Sequence, residues 1–143
     1  FYGDTLYKKN ERIVRYYKSF DINKNFIKIA FMPSHTSSFI SKKFYNKIGL
    51  YDNSYKIASD LDFYLRVLKT KNLKYIYKNK PISIMTEGGK SNKSLKNIIK
   101  SNLEAISILK KNKLRFPVLR IIVKLIFKLY LLVNFRLSNE WKQ

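Results

Sequence analysis

Along the sequence, short apolar runs typical of strands give way to long runs with helical periodicity, and this order constrains the fold most. Residues 27–32 alternate and then become apolar, which predicts a strand that ends at Pro33. Beyond residue 93, apolar residues recur at helical spacing. We therefore expect an α/β class, with strands and helices mixed in the first part and helices alone in the last.

Start and stop signals predict two short helices in the middle of the chain. Ser41 is suited to cap the first helix, and Gly49 stands where a residue with positive φ would end it. Ser59 is suited to cap the second helix, and Asp60 and Asp62 fall in its first turn, where negative charge complements the helix dipole. The apolar face of that helix is predicted at Leu61, Leu65 and Leu68.

Further strands and turns are predicted on either side of these helices. A turn is expected at Gly3-Asp4, two short strands at 73–77 and 81–85, and a turn at Gly88-Gly89.

Two longer helices are predicted to follow. One begins near Ser94, and the other begins at Pro117, a favourable first helical residue, and runs to about Phe135. The third helix is expected to bury six apolar side chains: Leu95, Ile98, Ile99, Leu103, Ile106 and Leu109.

The composition excludes several kinds of chemistry. The 143 residues include no Cys and one His, so disulfides, thiolate nucleophiles and zinc sites built from several imidazoles are excluded. A bound metal would need oxygen ligands, which favours Mg²⁺ or Mn²⁺.

The chain is also strongly basic. Thirty Lys and Arg residues against nine Asp and Glu give a net charge of +21, which predicts an anionic partner. Part of this excess fits a general bias toward Lys, Asn, Ile and Tyr. A basic nucleic-acid-binding module is therefore one alternative, although the sequence contains no recognised nucleic-acid motif and we expect no specific nucleic acid partner.

Five short motifs follow one another along residues 1–92. Together they resemble family 2 glycosyltransferases of the kind that builds bacterial surface polysaccharides. The motifs are Tyr2-Gly3-Asp4, His35-Thr36-Ser37-Ser38-Phe39, Gly49-Leu50-Tyr51-Asp52, Ser59-Asp60-Leu61-Asp62 and Gly88-Gly89-Lys90-Ser91.

The resemblance implies a partial GT-A (Rossmann-like) fold that lacks the N-terminal nucleotide-binding half. Such an enzyme transfers a sugar from a nucleotide-sugar donor to an acceptor hydroxyl, with inversion by single displacement. Its Mg²⁺ or Mn²⁺ would be bound mainly by the missing half, so the chain is expected to be a fragment that is inactive alone. Residues 1–92 would be the acceptor-side part and residues 93–143 a helical extension.

The resemblance also assigns roles to individual residues. Asp60 matches the general base, which removes the proton of the attacking hydroxyl, and Asp62 is the fallback. His35, Ser37, Gly88 and Gly89 are candidate substrate-binding residues. Three alternatives stay open: Asp60 as an ordinary helix-start acid, His35 as a structural residue and Gly88-Gly89 as a tight turn. The family often has Glu where this chain has Ser59.

Two other polar residues have simpler explanations. Arg66 is predicted to pair with Asp62 one helical turn away, and Asp52 is predicted to form an Asx turn.

The last helix is apolar but carries Arg120, Lys124 and Lys128 at four-residue spacing. Charges at this spacing are costly in a helix that spans a bilayer. We therefore expect residues 117–135 to lie on the inner face of the cell membrane, with the cations toward lipid headgroups and a lipid-linked or glycan acceptor nearby. The alternatives are a helix packed on its own domain with the cations in water, and a membrane-surface adaptor without enzymatic activity.

Overall fold

The computed structural model describes residues 1–19, 32–86 and 94–137, which form a three-stranded sheet and four α-helices. A single 3-10 turn, His35–Ser37, precedes the first helix. The mixed α/β class is as predicted. The strands are β1 (Tyr2–Lys9), β2 (Arg12–Tyr17) and β3 (Tyr77–Thr86), and the helices are α1 (Lys42–Ile48), α2 (Ser59–Leu68), α3 (Leu95–Lys111) and α4 (Pro117–Leu137).

Strand β1 lies at the centre of the sheet, antiparallel to β2 and parallel to β3. The hairpin between β1 and β2 turns at Asn10 and Glu11, both with positive φ, which is the two-residue turn that matches strand twist. The predicted turn at Gly3-Asp4 is wrong, because both residues lie inside β1. Gly3 is instead required by close packing, since an added Cβ would lie 2.9 Å from Ile82 Cγ1.

The side chain of Asp4 links the central strand β1 to both neighbouring strands. Its carboxylate is fully buried and accepts hydrogen bonds from the Tyr77 hydroxyl and the Ser19 backbone amide, each at 2.9 Å. The Tyr16 hydroxyl donates a further bond. Because a buried carboxylate needs such donors, Asp4 is a structural residue of this sheet.

Thr5 makes a second polar link beneath the sheet. Its buried hydroxyl lies 2.7 Å from Ser34, 3.0 Å from Ser37 and 2.9 Å from Ser83. These contacts fix the 3-10 turn and β3 against β1.

Strand β3 is one continuous element, so the prediction of two short strands is wrong. Residues 73–76 are not extended into the sheet, and Pro81 lies within β3. Pro81 has no backbone N–H, and the pairing of β3 with β1 is irregular where Asp4 faces Pro81. The predicted strand at 27–32, apart from its last residue, and the predicted turn at Gly88-Gly89 lie outside the described residues.

The predicted limits of α1 are confirmed. The Ser41 hydroxyl accepts a hydrogen bond from the Phe44 amide at 3.3 Å, and Gly49 has φ of +83°. Both observations reflect local rules for beginning and ending a helix.

The predicted cap of α2 is wrong, and a carboxylate from another helix instead bonds the backbone at and just before the N-cap position. Ser59 is the first helical residue, and Ala58 at the N-cap position has no side-chain hydrogen bond to offer. Glu104 of α3 instead accepts hydrogen bonds from the amides of Ile57 and Ala58, both at 2.9 Å, and of Lys56 at 3.2 Å. The backbone amides at and just before the N-cap of α2 are therefore bonded by a carboxylate from α3, whose negative charge also complements the dipole of α2.

Helices α2, α3 and α4 enclose one apolar core, which joins residues on both sides of the predicted boundary at 92/93. It contains Ala58, Leu61, Leu65, Ala105, Ile108, Leu109 and Ile121. Of the six side chains predicted to be buried on α3, Leu109 is fully buried and Ile106 is partly buried, while Leu95, Ile98, Ile99 and Leu103 are 37–74% exposed. The helix turns a different face inward because Glu104, Ala105 and Ile108 face α2.

We predict that Glu104→Gln destabilises the fold by about 1–2 kcal/mol at neutral pH, because a charged acceptor for three amides is replaced by a neutral one. Burial alone would raise the pKa of Glu104, but the amides of Ala58, Ile57 and Lys56 outweigh it and lower the pKa. A carboxyl with a lowered native pKa stabilises above its unfolded pKa, about 4.3, and loses this contribution as pH falls through the native value.

Urea unfolding of the wild type and the Gln variant should therefore differ at pH 7 and converge in acid. Glu11→Gln is the matched control, since Glu11 is exposed and its partner among the described residues is Lys8 across the hairpin turn. An equal loss in both variants would contradict the capping role.

Candidate functional site

A cavity of about 230 Å³ opens between the β1–β2 hairpin, the start of α2 and the inner sides of α3 and α4. Cavities that hold a whole drug-sized ligand usually exceed ~300 Å³, so this one fits part of a larger substrate. The polar side chains that matter for its chemistry are those of Arg15, His35, Asp60, Ser101, Lys124 and Lys128.

Asp60 is held at the cavity by the first turn of α2. Its Oδ1 accepts a hydrogen bond from the Leu61 amide at 2.8 Å, and its side chain is 30% exposed. Its Oδ2 lies 3.9 Å from Nδ1 of His35, which is too long for a direct hydrogen bond. An oxygen atom placed between the two groups could hydrogen-bond to both. One carboxylate oxygen is thus fixed by the backbone while the other faces the cavity and His35.

Helix α2 can hold Asp60 rigidly because most of its other side chains are buried. Leu61 and Leu65 pack in the helical core, and Phe63 stacks with Tyr51 at 4.6 Å between ring centroids. A helix fixed on several sides gives its first turn little freedom to move.

Asp62 has a different role, although it is only two residues away. Its carboxylate is buried and pairs with Arg66 Nε at 3.0 Å, with Lys111 Nζ 3.9 Å away. The predicted pairing of Arg66 with Asp62 is confirmed. Arg66 also donates to the carbonyl oxygens of Ile48 and Leu50, so the pair locks the end of α1 to α2. Asp62 does not line the cavity, and the structure does not support it as a fallback base.

Of the other residues singled out in the sequence, some have structural roles and some lie outside the described residues. Ser37 is fully buried and donates to the Gly3 carbonyl oxygen at 2.7 Å, so its position does not support contact with a substrate. Asp52 forms the predicted Asx turn, accepting from the Ser54 amide at 2.9 Å. Gly88 and Gly89 lie outside the described residues.

Helix α4 is oriented opposite to the prediction. Lys124 and Lys128 point inward and line the cavity, where Arg15 of β2 joins them. The apolar side of α4 faces outward, with eight exposed side chains over four turns that we call the outer face of α4: Val118, Leu119, Ile122, Val123, Ile126, Leu129, Tyr130 and Val133. The expected arrangement of cations toward headgroups is therefore wrong for Lys124 and Lys128, whereas Arg120 lies outside the cavity lining and donates to the Arg115 carbonyl oxygen.

The two lysines are in a partly desolvated environment. Burial lowers the pKa of Lys124, although the charge of Asp60 opposes this effect. Burial also lowers the pKa of Lys128, and the nearby charges of Arg15 and Lys124 lower it further. Their four-residue spacing was visible in the sequence, but periodicity alone does not tell which side of a helix faces the protein.

The described residues contain no group of three or more His, Asp or Glu side chains that could hold a metal ion. The cavity is a poor cation site, since Asp60 shares it with three basic side chains. None of the helices in the described part of the chain is long and apolar enough to cross a bilayer.

No protein-family model, curated protein or solved structure matches this chain. What the site can do follows from its own residues. It offers one carboxylate at a fixed position, one imidazole beside it and three cations around it.

The two acids of α2 should separate in their effect on stability. We predict that Asp62→Asn costs roughly 2–4 kcal/mol, because it leaves Arg66 without its charge partner in a largely buried position. Asp60→Asn should change stability by less than about 1 kcal/mol, since Asp60 is partly exposed and bonds its own helix.

Chemical unfolding of the two variants, made in the same background, measures this difference. If Asp60→Asn were the more damaging change, Asp60 would be the structural acid and the assignment would be reversed.

Proposed function

We propose that this chain is the acceptor-side part of an inverting, GT-A-fold glycosyltransferase and that Asp60 is its general base. The observation that carries the proposal is that Asp60 is the sole acid among the described residues that line the cavity. A hydroxyl that enters this cavity meets one carboxylate oxygen that is not already engaged by the backbone amide of Leu61.

In this mechanism the acceptor hydroxyl donates a hydrogen bond to Asp60 Oδ2. As its oxygen forms a bond to the anomeric carbon of the donor sugar, the proton passes to Asp60 and the bond to the nucleoside diphosphate breaks. Attack from the side opposite the leaving group inverts the anomeric carbon. His35, 3.9 Å from Oδ2, is placed to hydrogen-bond the same acceptor oxygen and orient it.

The convergence of two motifs supports the proposal. His35 belongs to the motif that begins with the 3-10 turn and Asp60 to the motif that opens α2, and these two residues meet at one cavity. The parallel pairing of β1 and β3 is compatible with a Rossmann-like sheet. In this proposal the donor would be held mainly by residues other than those described, together with a Mg²⁺ or Mn²⁺ that would supply charge to stabilise the leaving diphosphate.

We predict that Asp60→Asn lowers the turnover of the intact gene product by about 10²–10⁴-fold, because an amide cannot accept the proton. The assay is release of nucleoside diphosphate from a panel of nucleotide sugars in membranes that contain the acceptor. Asp52→Asn is the control, as it removes the same charge from a turn outside the cavity. Full turnover in Asp60→Asn would exclude Asp60 as the base.

We further propose that the outer face of α4 binds the inner face of the cell membrane peripherally. Soluble monomers rarely expose so many contiguous apolar side chains. Residues 95–137 also carry ten Lys or Arg residues and one acid, Glu104, so an anionic bilayer attracts the same region. The apolar side chains would enter the interface while the cavity stays on the protein side.

We predict that Ile122→Ser, Ile126→Ser and Leu129→Ser together weaken binding to anionic vesicles by at least about tenfold, because three inserted apolar side chains are lost. Sedimentation with vesicles measures this. The matched control changes three other exposed apolar residues, Leu50, Ile76 and Ile84, to Ser. Wild type that stays in the supernatant, or equal losses in both variants, would refute membrane binding by α4.

A further inference from the structure

Three basic side chains from two distant parts of the chain meet in the cavity. Arg15 lies on β2, and Lys124 and Lys128 lie one turn apart on α4. We call these three residues the cationic cluster. Among the described residues, neither Arg15 nor Lys124 forms an ion pair with a carboxylate. Asp60 is the acid that shares the cavity with them.

Such a cluster costs folding free energy in the absence of an anion. Like charges repel one another, and cations that leave water lose hydration. Burial lowers the pKa of Lys124 and of Lys128, and the charges of Arg15 and Lys124 lower the pKa of Lys128 further. The other side of α4 is apolar, so the opposite orientation of this helix would have left the cations in water. An anion that enters the cavity would offset both costs.

Aromatic rings fix the position of Arg15. Its guanidinium lies over the ring of Tyr7 at 5.0 Å and over that of Tyr17 at 5.5 Å. The Tyr17 hydroxyl donates to the Met32 carbonyl oxygen at 2.7 Å, which holds that ring in place. A guanidinium held in this way is preorganised for the paired oxygens of an anion.

We propose that the cationic cluster binds a phosphate group of a substrate beside Asp60. This inference rests on the proposed function and names the substrate class of the same site: a molecule that carries a phosphate within one cavity's width of the reacting hydroxyl. Arg15 donates paired hydrogen bonds to two phosphate oxygens, and Lys124 and Lys128 supply point charges.

The geometry favours phosphate over the other polyanions that a charge of +21 attracts. A cavity of about 230 Å³ between two helices and a hairpin admits a single phosphate or diphosphate but excludes the backbone of a nucleic acid duplex. The phosphate belongs either to a lipid-linked acceptor or to a soluble nucleotide, and binding measurements separate these two sources.

The test uses the full chain at about 150 mM salt, where diffuse surface attraction is screened. Calorimetry with inorganic pyrophosphate and with uridine diphosphate probes soluble phosphates. Sedimentation with phosphatidylcholine vesicles, with and without a long-chain prenyl phosphate, probes a lipid phosphate. Selective binding of the soluble probes indicates a nucleotide source, and binding that requires the prenyl phosphate indicates a lipid source.

We expect Lys124→Gln with Lys128→Gln to weaken phosphate binding by about tenfold or more, because two direct charge contacts are lost. The matched control is Lys96→Gln with Lys100→Gln, the same charge change at the same spacing on the exposed side of α3. This control variant should bind the phosphate probes with an affinity within about twofold of that of the wild type. Arg15→Gln is an independent variant from another element and should also weaken binding, so the result does not depend on one variant folding.

Equal weakening in the cluster and control variants, or no binding of any phosphate probe, would overturn the proposal. Asp60→Asn keeps this outcome separate from the proposed function. It should retain or strengthen phosphate binding, because a negative charge beside the site is removed, while turnover is lost. Turnover that depends on Asp60 without phosphate binding would refute the cluster alone, and phosphate binding with full turnover in Asp60→Asn would refute the base alone.

Discussion

The contact on which the rest of the structure depends is the one between Glu104 and the backbone just before α2. Three consecutive amides donate hydrogen bonds to a carboxylate from a helix that begins more than thirty residues later. This contact sets how α3 lies on α2, and α3 in turn supports α4. The position of Asp60 at the cavity, and of Lys124 opposite it, follows from that packing.

Two acids in the first turn of one helix acquire different roles because their surroundings differ. Asp62 faces the protein, where Arg66 and Lys111 neutralise it and where its loss would leave the partly buried Arg66 without its charge partner. Asp60 faces the cavity with one oxygen bonded to its own backbone. The helix period is enough to send neighbouring acids to opposite environments, one structural and one available for chemistry.

Features set by neighbours in sequence could be predicted, and those set by distant contacts could not. Ser41, Gly49 and the turn at Asp52 obey local rules, and each is confirmed. Ser59 is the same residue type as Ser41, yet it is already the first residue of α2, and the distant Glu104 bonds the backbone before it. The same distinction applies to the residues of the candidate site. Asp60 and His35 were predicted from motifs. Arg15 was missed, and Lys124 and Lys128 were assigned to the membrane, because only tertiary packing brings β2 against α4.

Helix α4 departs furthest from ordinary amphipathic packing, since Lys124 and Lys128 face the protein beside the buried Ile121, while eight apolar side chains face outward. Neither side is favourable for an isolated chain in water: the inner side holds desolvated charges, and the outer side exposes apolar surface. An orientation that is costly on both sides is retained when both sides have partners. An anion in the cavity would offset the desolvation of the charges on the inner side, and a lipid surface would cover the apolar side chains on the outer side. The phosphate group of a membrane lipid would bring an anion and a lipid surface to the same helix. This favours the lipid-linked acceptor over a soluble nucleotide as the source of the phosphate.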